Sequence, residues 1–334
     1  MITDARVLQP EFIPQEVKHR DGEINYLTST LRPILQQNPA DPAFLYGPSG
    51  VGKTCLAQFT VERLREHMVE LNHQYVNCWE DYSRFKTLYT LLDGVENTID
   101  IHRQSTPRDV LLDRLRDYDG PPYVVILDEV DQLEDKSLLY DLYRIPGLTM
   151  VLIANSEDGL FNSVNDRLAS RLTDATRIHF QAYSDNELVA ILEDRVRWGL
   201  VDNVIDERRL RTIANNARGD ARVAIGILRK AAHTTQERGR SEITTDVIRK
   251  AIPEAKTEIK QQTTDKLTEH QQTVYDIIAS NEGIGGGELY EKYCREVGDP
   301  KTQRTVRNYV SKLEQYNLVV AEGNTKARVY RPTT

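Results

Sequence analysis

The sequence predicts an α/β core built on a parallel sheet, then an all-helical unit, then a small unit of three helices closed by a β-hairpin. Three observations predict it. Short β-branched, apolar segments alternate with helical patterns as far as Phe180. Helical patterns alone follow up to residue 252, and period-2 alternation returns only after Asn317. Strands that alternate with helices imply parallel pairing with helices on both faces of the sheet.

The five strand segments are Phe44–Gly47, Gln74–Cys78, Tyr123–Leu127, Thr149–Asn155 and Thr176–Phe180. Helical stretches Tyr82–Glu96 and Pro107–Asp117 separate the second from the third, the latter opened by a Thr106 cap and a first-position proline. In the helical unit, Ser184-Asp-Asn-Glu187 is a capping box for Leu188–Trp198, and Glu207–Ala217, Ala221–Glu237 and Thr245–Ala251 follow. Residues 253–266 are polar and lack an apolar period, so they read as a linker. Thr268-Glu-His-Gln271 caps the next helix, Leu289, Tyr290, Tyr293 and Val297 face a second, and Val306, Tyr309, Val310 and Leu313 a third. The run Gly285-Gly-Gly287 reads as a flexible turn, and Leu318–Glu322 with Ala327–Arg331 as a hairpin about Gly323-Asn324. Three helices and a hairpin make a winged helix-turn-helix. The domains are therefore 1–182, 183–252, a linker 253–266, and 267–334.

With 334 residues the chain has room for about two domains of ordinary size. The longest apolar runs, Tyr123–Leu127 and Met150–Ala154, are strand-sized, which argues against a membrane protein. The N-terminus has no apolar leader core, and three scattered cysteines make neither a disulfide framework nor a zinc site, so a cytoplasmic location is expected. Net charge is −8, divided as +5 over residues 301–334 and −13 over the rest. The acid excess, with 30 Arg against 13 Lys, fits a salt-adapted host.

The residues Gly47, Pro48, Ser49, Gly50, Val51, Gly52, Lys53, Thr54 and Cys55 follow a strand and open a helix, and they match G-x-x-x-x-G-K-[ST]. Such a loop wraps phosphate oxygens with backbone N–H groups at a helix N-terminus. Lys53 would neutralise the β and γ phosphates and Thr54 would place its hydroxyl on Mg²⁺. About 75 residues on, a buried strand ends in Asp128-Glu129. Asp128 would hold Mg²⁺ and Glu129 would polarise the attacking water. Asn155 ends the fourth strand, either beside the γ-phosphate or as a turn cap. Arg222, in Gly219-Asp-Ala-Arg222, either reaches the γ-phosphate or is a solvated helix arginine. Arg167 and Arg171 are either arginine fingers for a neighbour's nucleotide or surface residues paired with Asp166 and Asp174.

On these motifs the chain resembles AAA+ ATPases: an AAA+ P-loop parallel sheet with a helical lid. The segment Pro10-Glu-Phe-Ile-Pro14, the box Lys18-His19-Arg20 and the winged helix make it similar to the archaeal origin-recognition and cell-division-control family of replication initiators. Lys18 stands where that family's box more usually has proline. The resemblance implies ATP or ADP with Mg²⁺ as cofactors and slow, switch-like ATP hydrolysis. It implies double-stranded origin DNA and the replicative helicase as partners, and self-association on DNA. It places His19 and Arg20 near the adenine. It also implies an initiator-specific DNA contact at Tyr82–Glu96, where Arg84 and Lys86 are offset by Asp81, Asp93 and Glu96.

The third helix of the C-terminal unit carries Arg304, Arg307, Asn308, Ser311 and Lys312 away from its apolar face, with Lys301 and Thr302 at its start. That is the composition of a helix reading a major groove. Lys326 and Arg328 on the hairpin would grip the backbone or enter the minor groove. Two other readings remain: a clamp-loader-like or plasmid- or transposon-type ATPase, and a nucleotide switch whose winged helix binds protein.

Overall fold

The computed structural model describes the chain apart from residues 69, 97, 103–105, 162, 163, 165, 324–327 and 334. Its described residues divide into two compact units, 1–252 and 253–334.

The first unit begins α1 (Asp21–Leu31), β1 (Ala43–Tyr46), α2 (Lys53–Glu66), β2 (Asn72–Asn77), α3 (Arg84–Asp93), α4 (Arg108–Arg116) and β3 (Tyr123–Asp128). It continues through α5 (Ser137–Tyr143), β4 (Leu148–Ala154), α6 (Glu157–Phe161), α7 (Asp166–Thr173) and β5 (Thr176–His179). Among the described residues the strands pair in parallel in the order β2-β3-β4-β1-β5. Strand alternation splits the core in two, because successive side chains leave opposite faces. Val125, Leu127, Phe44, Met150 and Leu152 pack with the helices α3, α4, α5 and α7. Val124, Ile126, Leu45, Val151 and Ile153 pack with α1 and α2. All of β3 is buried, so Asp128 at its end is held rigidly. Parallel pairing brings the C-terminal ends of β1, β3 and β4 to one edge, with Tyr46 opposite Ala154.

The helical part is α8 (Asp185–Gly199), α9 (Glu207–Ala217), α10 (Ala221–Glu237) and α11 (Thr245–Thr264). The expected capping box is formed: Ser184 Oγ accepts from Glu187 N at 3.3 Å and Glu187 Oε2 accepts from Ser184 N at 2.7 Å. Each such bond satisfies an otherwise orphaned donor.

The second unit contains α12 (Glu269–Ala279), β6 (Ile284–Gly285), α13 (Gly286–Glu296), α14 (Gln303–Gln315), β7 (Val319–Glu322) and β8 (Val329–Pro332). Among the described residues its strands pair antiparallel in the order β6-β8-β7. Three helices against this small sheet form the winged helix.

Several local expectations differ. Residues 253–264 are helical and continue α11. The apolar face of α11 runs through Ile248, Ala251, Ile252, Ala255 and Ile259 at helical spacing; beyond residue 252 it rests on Ala255 and Ile259, and Ala255 is buried although it adds little to a hydropathy pattern. Pro253 removes one ladder hydrogen bond without ending the helix. The glycine run is no free turn: Gly285 pairs with Val329 in β6, and Gly286 and Gly287 open α13. A two-residue strand is too short to show a period. Helix α3 begins at Arg84, capped by Ser83 Oγ on Lys86 N at 3.4 Å. The cap position of α4 is Pro107, while the Thr106 hydroxyl accepts from His102 N. No helix among the described residues is long and apolar enough to cross a membrane.

Candidate functional site

The C-terminal edge of the sheet opens into a cleft between the phosphate loop and the helical part. One end is polar, with Ser49 to Thr54, Asp128, Glu129, Asn155 and Arg222; the other is largely apolar, with Pro10, Pro14, Val17, Ile191 and Ile225. Gly50 and Gly52 hold φ of +75° and +89°, in the left-handed region. A Cβ at Gly50 would lie 1.9 Å from Asp220 Oδ1, and one at Gly52 would lie 2.7 Å from the Tyr183 hydroxyl. No other residue fits the loop so close to the helical part.

Lys53 is 7% exposed, and its ammonium donates to the carbonyls of Gly47 and Pro48, each at 2.7 Å. Burial brings its pKa down to about 8, with Asp128 opposing the shift. Thr54 Oγ1 donates to Asp128 Oδ2 at 2.6 Å, and the Tyr75 hydroxyl donates to the same oxygen at 3.0 Å. Burial, reinforced by the Asp128 charge, pushes the Tyr75 phenol up and keeps it a donor. Glu129 sits at φ +54° just beyond β3, and its N–H donates to Asp128 Oδ1 at 2.8 Å. Asn155 Oδ1 lies 3.5 Å from Lys53 Nζ, while its buried Nδ2 has no hydrogen-bond partner. Arg222 reaches from the first turn of α10 to Ser49 Oγ at 2.6 Å, and its buried Nε is also unsatisfied. Orphaned buried donors are uncommon in folded proteins. Two of them with a lysine around a nest of glycine N–H groups fit a polyphosphate. The Thr54 hydroxyl and Asp128 carboxylate are hard oxygen donors of the kind that hold Mg²⁺. Burial pushes the Cys55 thiol up to about 11, so it lines the cleft as a neutral group.

Not every expected residue lies there. Arg20 is 5% exposed and turned into the protein. It donates to Glu23 Oε1 at 2.8 Å, Val51 O at 3.1 Å and Gln181 O at 2.7 Å, with its guanidinium 4.1 Å above the Tyr183 ring. It braces the phosphate loop from behind. His19 is exposed, at φ +58°, and it is the neighbouring Glu16, Val17 and Lys18 that line the cleft. Arg167 and Arg171 are exposed on α7 and do not line the cleft, and Arg171 lies 5.9 Å over the Tyr143 ring. Arg84 is held by Asp135 at 3.0 Å and Asp141 at 2.5 Å, which takes its charge out of play for any contact by α3. Tyr75, Tyr183 and Arg195 were not legible in the sequence; each acts through a partner far away along the chain.

In the winged helix, Arg304, Arg307, Asn308 and Ser311 are exposed along α14. Thr302 is its N-cap, accepting from Thr305 N, and Lys301 Nζ pairs with Asp299 at 2.7 Å. Lys312 is a correction: it is 7% exposed and not part of the open face. It shares a helix stripe with Tyr309 and Tyr316, three and four residues away. Arg328 pairs with Glu314 at 2.9 Å, and Lys326 lies outside the described residues.

A phosphate loop, an Asp-Glu strand end, an Asn-terminated strand and a lid arginine on this sheet define a AAA+ ATPase. In agreement, residues 16–153 match the AAA ATPase domain and residues 189–253 match the Cdc6 AAA+ ATPase-type lid domain. ORC1-type DNA replication protein 1 of Halobacterium salinarum is 63% identical over 308 residues, covering 92% of this chain and all of that protein. ORC1-type DNA replication protein 9 of the same organism is 50% identical over 330 residues, covering 99% of this chain and 93% of that protein. The chain belongs to the family of ORC1-type DNA replication proteins. Its fold is that of the Aeropyrum pernix ORC1 protein solved in complex with DNA, with a TM-score of 0.77 at 24% identity over 99% of this chain and 93% of that one. The Aeropyrum pernix ORC2 protein, solved as ADPNP-ADP complexes, has a TM-score of 0.67 at 25% identity, over 99% of this chain and 94% of that one.

Proposed function

We propose that this protein is an ATP-switched replication initiator: it binds origin duplex through its winged helix, and its AAA+ site holds ATP to set the binding-competent state. The observation that carries the nucleotide reading is the pair of unsatisfied donors, Asn155 Nδ2 and Arg222 Nε, at the phosphate end of the cleft. On this reading both would donate to the third phosphate that distinguishes ATP from ADP. Lys53 neutralises the β and γ phosphates, and Arg222 ties the lid to them. Thr54 and Asp128 are the residues that would hold Mg²⁺, which when bound would offset the charge that develops on the phosphates. Glu129 polarises the attacking water. Since neither Arg167 nor Arg171 lines the chain's own cleft, turnover by the isolated protein is slow and hydrolysis acts as a switch. These exposed arginines suit the nucleotide of a second copy, which supports self-association on DNA.

The DNA reading rests on the exposed Arg304, Arg307, Asn308 and Ser311 face of α14, and on the +5 charge of residues 301–334 within an acidic chain. Recruitment of the replicative helicase and a cytoplasmic location belong to the same proposal, supported by the likeness to ORC1-type replication proteins. Nucleotide binding and single-turnover hydrolysis of Lys53→Ala and Glu129→Gln test the site. Lys53→Ala should lose nucleotide, and Glu129→Gln should retain ATP while losing turnover. Equal loss of binding in both contradicts the assignment.

A further inference from the structure

Arg195 is a buried cation that the switch described above does not use. It stands on α8, is 5% exposed, and lines the cleft at its apolar end. Its guanidinium donates to the carbonyls of Val7 at 2.9 Å and Phe12 at 3.1 Å and lies 5.0 Å over the Phe12 ring. Those carbonyls bracket the part of the N-terminal segment that sends Pro10 into the cleft, with Pro14 two residues beyond. Burial lowers the Arg195 pKa, with the Asp194 charge among the influences that oppose the shift.

The rest of the segment is fastened to the same helices. Thr3 N donates to Gly199 O at 2.9 Å, Val201 N to Met1 O at 2.9 Å, and Ile2 N to Gln236 Oε1 at 2.9 Å. Ile2 and Leu200 form a β-bridge, and Arg229 donates to Gln9 Oε1 at 2.7 Å. Residues 1–12 are thus tied by hydrogen bonds to α8, α10 and the turn after α8.

On the nucleotide-binding reading, we infer that Arg195 is a positioning residue for the nucleobase: it latches the N-terminal segment to the lid, so that Pro10 and Pro14 form a base wall that the lid carries. The lid then holds two sensors. Arg222 on α10 answers to the terminal phosphate, and the latched wall answers to the base. Lid closure engages both in one movement, and a ligand without a base gains only the first. The latch has two prongs because a guanidinium presents parallel donors, so the two carbonyls fix the bend of the segment and not merely its proximity.

The test compares ATP, ADP and inorganic tripolyphosphate by calorimetry on the full chain, as wild type, Arg195→Met and Arg195→Lys. Arg195→Met keeps an apolar stem and removes both hydrogen bonds. ATP and ADP should each weaken about tenfold, as expected when one or two apolar side chains leave a buried contact. Tripolyphosphate should stay within about twofold of wild type, because the phosphate loop and Arg222 are untouched. Arg195→Lys, whose donors share one nitrogen and lack the planar fork, should recover part of the loss. Parallel weakening of tripolyphosphate, or undiminished ATP binding, overturns the inference. Wild-type protein that binds none of the three refutes the nucleotide reading instead. Amide exchange gives a second readout in the same proteins. In wild type, residues 7–14 and α8 should gain protection together when ADP binds. In Arg195→Met, residues 7–14 should lose that gain while β1 keeps its own, and equal protection of 7–14 in both proteins contradicts the latch.

Discussion

Replacing Arg20 by Met separates a structural brace from a base contact, and its cost can be worked from the contacts. The guanidinium is 5% exposed and makes three hydrogen bonds, to Glu23 Oε1, Val51 O and Gln181 O. Methionine fills much of the volume but leaves two carbonyls and a half-buried carboxylate without their donor. At about 1 kcal/mol for each carbonyl bond and about 2 kcal/mol for the charged one, the loss is roughly 4 kcal/mol. Stacking on Tyr183, at 4.1 Å, brings a further contribution that the thioether partly replaces. For a unit of this size the loss is roughly a 10 °C fall in melting temperature. The assay is urea and thermal unfolding without nucleotide, followed by calorimetry with ATP, ADP and tripolyphosphate. Because Val51 belongs to the phosphate loop, all three ligands should weaken together. A variant within about 0.5 kcal/mol of wild type would refute the brace. So would a variant that weakens ATP and ADP while sparing tripolyphosphate, since that pattern belongs to a residue touching the base.

Three further outcomes are expected. In the nucleotide-free protein Lys53 titrates near pH 8, and bound phosphate favours its charged form; ATP affinity should therefore be level at low pH and fall as pH rises through 8, with net proton uptake in calorimetry. Lys53→Arg should flatten that profile, and an unchanged slope would show that another group is titrating. Arg222→Ala should weaken ATP about tenfold, a value reduced for its partial exposure, while ADP changes by less than about twofold; equal effects would place Arg222 away from the third phosphate. In gel-shift or anisotropy titrations Arg307→Ala should weaken duplex binding and reduce the salt slope by about one, whereas Lys312→Ala, which empties a buried position, should lower stability and leave the slope unchanged.

The sequence shows the strands of the sheet to within two residues, most plainly β3 and β4, whose apolar runs are buried on both faces. The phosphate loop and the Asp-Glu strand end are equally plain, since their chemistry requires contiguous residues. What escapes notice is whatever depends on distant partners. Arg20 meets Gln181 and Arg195 meets Val7 across the length of the chain, and a charged residue in the sequence does not reveal that it is buried. Tyr75 reads as one more strand aromatic until β2 pairs with β3 and brings it to Asp128. Lys312 was misplaced for a geometric reason: one residue beside a core stripe is enough to turn a long side chain inward. The C-terminal extension of α11 escapes the pattern because Ala255, which contributes little hydropathy, is buried on its apolar face.

The central claim, that nucleotide state governs sequence-selective duplex binding, is tested most directly by titrating the full chain into origin-region and random-sequence duplexes of its host. The titration is run with ATP and with ADP across a salt series. Phosphate contacts fade steeply with ionic strength and base readout less so. The account predicts a preference for origin fragments that survives high salt and differs between ATP and ADP. Binding that is equal on both duplexes, erased by salt and indifferent to nucleotide would contradict it.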